Sequence, residues 1–292
     1  MRLAVLVALF FLAVPATHAQ TPLTITTEPN AIVWIDEIKR GTTDTSGKLI
    51  VNKVSAGRHS VRVRANGFKE TVTPLLPGRR TLAVKLVTTT DEAELKFQEA
   101  ETAREKARDD ASLQQAVNLY RETIKLRSAF PAAHVGLARV LMDLNDFKQA
   151  HAEIEAARRT RPAYAEASAV EGRIYREEAF NDEAIRSFRR AIREGGGIQP
   201  EAYVGLARVH EDKGQFAEAI VEFKNALAQL SDSEPVIYQM LGAAYEKVEK
   251  PKEAVVAYEK YLELAPNGSY AAAIRSILEQ LKREAAGEQI IP

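Results

Sequence analysis

The 292-residue chain contains no cysteine. That absence excludes a structural disulfide, a thiolate-ligated zinc, an iron–sulfur cluster, a cysteine nucleophile and a lipidated N-terminal cysteine. Its 15 glycines and 12 prolines are too few for a collagen-like or low-complexity chain. Lys+Arg and Asp+Glu number 40 each, so the net charge of zero points to no polyanionic partner. Past residue 19 no apolar run approaches the ~20 residues that a spanning helix requires. What is present, 46% hydrophobic and 27% charged residues, is ordinary globular composition, and the length suits about two domains of roughly 150 residues.

The first 19 residues combine Arg2, an apolar run from Leu3 to Val14, a breaking Pro15 and small residues at Thr17 and Ala19. This is the composition of a signal peptide cleaved near Ala19. It leads us to expect an exported protein, periplasmic or at the cell surface, with no membrane span after processing. The zero net charge hides a split, because residues 22–89 carry +6 and residues 90–292 carry −7. The hydrophobic period changes at the same place, so a boundary is expected at Thr88–Thr90.

Before that boundary the chain alternates. Leu23–Ile25, Val61–Ala65 and Leu82–Leu86 follow a period of two and Ala31–Ile35 is β-branched and aromatic, the runs punctuated by Pro29-Asn30, Ser46-Gly47, Ala56-Gly57, Asn66-Gly67 and Pro77-Gly78. Alternation of Val with Arg means one packed and one wet face, as in a small antiparallel β-sandwich. The string Glu28-Pro29-Asn30-Ala31, Trp34-Ile35-Asp36, Gly41-Thr42-Thr43, Ala56-Gly57-Arg58-His59 and Gly67-Phe68 resembles the PEGA domain, with Asn30 and Glu37 standing where that family usually has glycine. The resemblance covers nearly all of Pro22 to Val87, within a β domain expected at residues 22–89, and implies a role at the cell envelope without catalytic residues.

Beyond the boundary the pattern is helical and repeats. Ala150, Ala184, Ala219 and Ala254 recur at intervals of 34, 35 and 35, and four residues after each stands Ile154, Phe188, Phe223 or Tyr258. Twelve residues before each stands Ala138, Gly172, Ala207 or Gly242, small enough to let two helices approach. Pro162 and Pro266 close two of the units. This resembles the tetratricopeptide (TPR) repeat, with units at Pro131–Tyr164, Ala165–Ile198, Pro200–Ser233 and Pro235–Gly268. A weaker unit at Phe97–Phe130 precedes them, carried by Ala116 and Tyr120, because its first helix, Glu94–Arg108, is too polar to fit. Residues 269–284 form a capping helix with Ile274, Ile277, Leu278 and Leu281 on one stripe. The expected fold is therefore a β-sandwich followed, over residues 91–284, by an α-solenoid of about five hairpins and a cap, with a tail at 285–292.

Chemistry-bearing motifs are few. Gly41–Lys48 imitates a phosphate loop, but the spacing has one residue too many, Leu49 replaces the required Ser or Thr, and a hairpin loop explains it. Gly195-Gly196-Gly197 is a stretched turn between repeats. None of the five histidines pairs with another at ligand spacing, so neither a metal nor another cofactor is expected. The sharpest candidates are Arg139, Arg173 and Arg208, each following the small eighth residue of its unit. In the TPR family that ninth position faces the concave groove, and a row of guanidiniums suits an acidic peptide or a chain terminus. Glu166 and Glu201 stand where they could neutralise the row from within. On the β segment, Arg62, Arg64 and Lys69 form a basic patch that could take an envelope polymer or dock on the acidic repeats. Nucleic acid is not an expected partner. These features lead us to expect a non-catalytic interaction scaffold that binds a protein or peptide in the groove. An envelope-anchoring protein that works through its β segment, or an accessory subunit of an envelope enzyme, are the competing readings.

Overall fold

The computed structural model describes residues 22–36, 38–52, 54, 58–230 and 234–286. The expected signal peptide, Glu37, Ala56-Gly57, Ser233 and residues 287–292 of the expected tail lie outside these.

Nine strands come first among the described residues: β1 (Leu23–Thr26), β2 (Ile32–Ile35), β3 (Ile38–Thr42), β4 (Lys48–Val51), β5 (His59–Arg64), β6 (Phe68–Lys69), β7 (Thr71–Leu75), β8 (Thr81–Ala83) and β9 (Val87–Thr88). They form a β4-β1-β8 sheet, a β3-β2-β5-β7 sheet and a β6-β9 ribbon. Leu23, Ile25, Val33, Ile35, Val61, Val63 and Leu75 fill the core of this segment. Each comes from the inward parity of its strand, as period-two patterning requires. The wholly antiparallel arrangement expected from the sequence needs one correction. β1 and β8 pair in parallel, because β8 returns along β1 only after the chain has built the other sheet. The expected strand at Leu82–Leu86 also ends at Ala83, although Val84 and Leu86 stay buried. The Gly41–Lys48 segment is not a hairpin loop. β3 and β4 belong to different sheets, and the tight turn at Asp44–Gly47 carries the chain from one to the other. Gly47 has a φ of 76°, and a side chain there would overlap the Thr27 carbonyl. Asn30 occupies its glycine position with a φ of 57°, a conformation that Asn tolerates.

Register decides what the β segment shows its neighbours. In the β2–β5 pair Val33 faces Val63 on the core side, whereas Trp34 faces Arg62 on the other side, next to Ile32 and Arg64. Trp34 and both arginines therefore share the outer face of the sheet.

The helices are α1 (Glu92–Lys106), α2 (Asp110–Leu126), α3 (Pro131–Asp143), α4 (Phe147–Thr160), α5 (Ala165–Glu177), α6 (Asn181–Glu194), α7 (Pro200–Asp212), α8 (Phe216–Leu230), α9 (Pro235–Lys247), α10 (Pro251–Leu264) and α11 (Ala271–Ala286). Consecutive pairs make five hairpins, and α11 caps the last, beginning two residues later than expected and running into the residues assigned to the tail. Proline at the first helical position opens α3, α7, α9 and α10, where no N–H partner is lost. α1 starts at Glu92 because the Asp91 side chain accepts from the Ala93 and Glu94 amides.

Ala150, Ala184, Ala219 and Ala254 are all fully buried in equivalent places. The large residues four positions later are buried beside them and meet the small ones. A Cβ on Gly172 would lie 2.7 Å from the Phe188 ring, and one on Gly242 would lie 2.6 Å from Tyr258. Phe188 also presses on Gly205 of the next hairpin, so one aromatic ring is wedged between two helices that lack side chains at the contact. Gly196 and Gly197 adopt φ of 61° and 89° in the turn after α6.

α1 departs from the repeat pattern because it faces the β segment. The Gly67 amide donates to Gln98 Oε1 at 2.8 Å, and Gln98 Nε2 donates to the Phe68 carbonyl at 2.9 Å. Arg64 reaches Glu101 at 3.2 Å and lies 5.4 Å above the Phe97 ring. At the other end of the β segment Arg40 donates to the Gln229 carbonyl, at the end of α8, at 3.2 Å. The β segment thus reaches from the first hairpin to the fourth, and between these contacts it lines a cavity with α3, α5 and α7.

Candidate functional site

Arg139, Arg173 and Arg208 occupy α3, α5 and α7 and line one cavity of about 910 Å³ with Glu166, Glu201 and Val204. The repeat offset therefore does bring the row together. The three are not equivalent in what they bind. Arg139 donates to both oxygens of Glu201, at 2.9 and 3.1 Å, and to Glu166 at 3.3 Å. Arg173 reaches the same Glu201 oxygen only at 3.4 Å, and Arg208 reaches Glu211 at 3.5 Å. Their side chains remain 40% and 39% exposed, against 16% for Arg139. The internal neutralisation foreseen for the row is thus concentrated on its first member. Arg173 and Arg208 keep most of their hydrogen-bonding capacity for other groups.

The Arg139–Glu201 pair dominates the electrostatics. Burial opposes ionisation of Glu201, but the charge and hydrogen bonds of Arg139, helped by Arg173, prevail and hold its carboxyl at about 2. Burial also opposes the charge on Arg139, and Glu201 with Glu166 more than restores it. Nearby, burial raises Asp143, partly offset by Arg173, Arg104 and Arg139.

Arg62, Arg64 and Lys69 do not form one patch. Arg62 lies 4.2 Å above the Trp34 ring and pairs with Glu70 at 3.2 Å, while Arg64 lies 5.1 Å from Trp34 and is bound to Glu101. Lys69 stands exposed on β6, in the β6-β9 ribbon and outside the sheet that carries Arg62 and Arg64. The reason is parity and docking. The face carrying Arg62 and Arg64 is the one turned toward the helices, so Arg64 is buried against α1. Burial resists ionisation of Glu101, and Arg104, Arg64 and a hydrogen bond from Tyr120 overcome it, leaving the carboxyl below its usual range.

The four described histidines each bridge locally. His59 meets Asp36 at 2.6 Å, His134 meets Glu153 at 2.6 Å, His151 meets Glu178 at 2.7 Å, and His210 meets Gln215 at 2.8 Å. No group of three or more His, Asp or Glu side chains is placed to hold a metal ion among the described residues. Nor is any described helix long and apolar enough to cross a membrane.

Reading the repeats alone misses the second wall of the cavity. Trp34, Asp36, Ile38, Lys39 and Arg62 of the β segment line it opposite α3–α7, together with Arg161 and Tyr164 from the α4–α5 turn. Arg161 stacks 4.3 Å above the Tyr164 ring. The parity of Trp34, opposite to that of the core residues Val33 and Ile35, was the available signal.

A stack of like helix pairs that presents side chains in rows defines an α-solenoid of the hairpin-repeat class. Tetratricopeptide repeat models match residues 107–174, 169–235 and 235–267, together more than half of the 292-residue chain. The chain belongs to the tetratricopeptide repeat family. A search of curated protein sequences gives no significant match. Among solved structures, a thermophilic TPR protein in Thermus thermophilus is similar with a TM-score of 0.53 and 20% identity, over 65% of this chain and 98% of that one. PilF of Pseudomonas aeruginosa is similar with a TM-score of 0.55 and 16% identity, over 67% and 88%. PilW, a type IV pilus biogenesis factor, gives 0.56 and 17%, over 68% and 88%. At these identities the likeness is one of fold.

Proposed function

We propose that this protein is an exported, non-catalytic interaction adaptor whose concave TPR groove holds an extended segment or a helix of a protein partner, with a PEGA-like β module beside it. The observation that carries this reading is the arginine row. Three equivalent positions on successive first helices bear guanidiniums toward one groove. The first is neutralised internally, and the next two are about 40% exposed and loosely paired. Arg173 and Arg208 then supply bidentate donors to carboxylates of an acidic partner, and Arg139, fixed by Glu201, ends the row on the α3 side. The binding mode is that of a solenoid, whose footprint is set by the number of stacked repeats.

The test is crosslinking and mass spectrometry on the exported protein in its own host, comparing the wild type with Arg173→Glu/Arg208→Glu. The partner captured by the wild type is lost in the variant. Equal capture by both overturns the role of the row. Export itself is tested by cell fractionation, with N-terminal sequencing expected to begin close to Gln20. Recovery of an unprocessed protein from the cytoplasm overturns that part of the reading.

A further inference from the structure

The groove has two walls, and both carry cations whose charge is not spent. Two adjoining cavities, of about 910 and 480 Å³, share Trp34, Lys39 and Arg62 from the β segment with Arg161, Tyr164 and Glu166 from the helices. The wall carboxylates are mostly committed. Asp36 takes His59 at 2.6 Å, Glu201 takes Arg139 at 2.9 Å, Glu166 takes Arg139 at 3.3 Å and Tyr164 at 2.9 Å, and Glu194 takes Arg190 at 2.6 Å. Glu234, at the α9 end of the cavity, is exposed, and its carboxylate has no partner among the described residues. The cations at the junction are less engaged. Among the described residues Lys39 has only Glu105, at 3.9 Å with both groups about half exposed. Arg161 is stacked on Tyr164 and makes no ion pair among the described residues.

We infer that the cleft between the β segment and the α4–α5 turn is a binding site for an extended acidic peptide, gripped between Lys39 on one wall and Arg161 on the other. Trp34 and Tyr164 supply flat aromatic surfaces, while Ile38, Ala163 and Val204 line the same space with apolar groups. That mixture suits the alternate side chains of an extended chain, which a uniformly polar polysaccharide does not present. The inference deepens the adaptor reading above and rests on it, because it makes the β segment a part of the recognition surface instead of a neighbour. A peptide held this way contacts two modules at once, so it also holds the β segment onto the repeats.

Trp34 is the single tryptophan of the chain, so its fluorescence reports on the cleft without labelling. The probes are short oligoglutamate, oligolysine and polygalacturonate, titrated against the full chain at low salt. Oligoglutamate is expected to change Trp34 emission saturably, and oligolysine to leave it unchanged. Lys39→Gln and Arg161→Gln are each expected to raise the dissociation constant by about tenfold. Both side chains lie at the surface, and unchanged thermal melts confirm that the variants are folded. Absence of a saturable change overturns the site. So does a Lys39→Gln variant that binds like the wild type. If Arg173→Glu/Arg208→Glu then still abolishes partner capture, the groove reading survives and only the second wall is lost. Polygalacturonate binding as tightly as oligoglutamate overturns the peptide assignment.

Discussion

Glu201→Gln tests whether the carboxylate at the centre of the groove stabilises the repeat stack or merely decorates it. In the wild type this carboxyl is held at about 2, against about 4.3 for an ordinary Glu. A shift of that size corresponds to roughly 3 kcal/mol at neutral pH. The side chain is 34% exposed to the solvent that fills the cavity, so screening reduces the figure to about 1.5–2 kcal/mol. Amide replacement keeps the shape and leaves Arg139 with Glu166 at 3.3 Å, so the loss is not that of an abandoned buried charge. The sign follows from the direction of the shift. A depressed carboxyl stabilises the fold fully above its unfolded value, and that stability is lost as the pH falls toward about 2. Urea unfolding followed by far-ultraviolet circular dichroism is therefore expected to show the variant weaker by about 1.5–2 kcal/mol at neutral pH. The gap should narrow to roughly half of that or a little less near pH ~3.5. A difference that does not change with pH, or one within about 0.5 kcal/mol of zero at neutral pH, refutes the argument.

The packing and the seam give three further outcomes. Gly205→Ala places a methyl in the Phe188 ring and is expected to destabilise by about 1–3 kcal/mol, read as a lowered thermal midpoint; Gly214→Ala, in open space, shows only the smaller cost of its φ of 71°. Gln98→Ala removes the partner of the Gly67 amide and the Phe68 carbonyl, so hydrogen exchange at Gly67 is expected to accelerate and stability to fall by about 2 kcal/mol. Burial opposes the charge on His134, but hydrogen bonds from its ring to Glu153 and to the Ser128 carbonyl raise its pKa above the ordinary histidine value. Its stabilising contribution is then complete below about 6.5 and disappears as the pH rises through the raised value. A proton NMR titration should show that value falling in Glu153→Gln.

The repeats were legible because each position is written several times. Ala150, Ala184, Ala219 and Ala254 identify the hairpin core without any coordinates, and the same offset places Arg139, Arg173 and Arg208 in one groove. The offset also indicated Glu166 and Glu201 as internal partners. It could not tell that Glu201 would choose Arg139, 62 residues away, over the nearer Arg173. That choice depends on how successive hairpins are rotated, which no single unit encodes. The β segment was legible in outline from its alternation, and less so in topology. Parallel pairing of β1 with β8 joins residues far apart in sequence, and no local signal specifies it.

The polar first helix of the weak repeat is the most instructive departure. As a repeat, Glu94–Arg108 is defective, since the buried face of a hairpin helix has no use for Gln98, Glu101 and Arg104. As a seam it is consistent. Gln98 satisfies two backbone groups of the β segment, and Glu101 collects Arg64, Arg104 and the Tyr120 hydroxyl. The basic character of residues 22–89 and the acidic character of residues 90–292 meet in that contact, so the charge split visible in the sequence marks an interface within one chain. Arg62 and Arg64 alternate with Val61 and Val63 as a wet strand face would, yet their surroundings are Trp34, Glu70 and Glu101. The cavity lies where the β segment and the helices close on each other. Each module therefore shows there residues that its own packing does not require: Trp34 and Lys39 on the sheet, Arg161 and Arg173 on the helices.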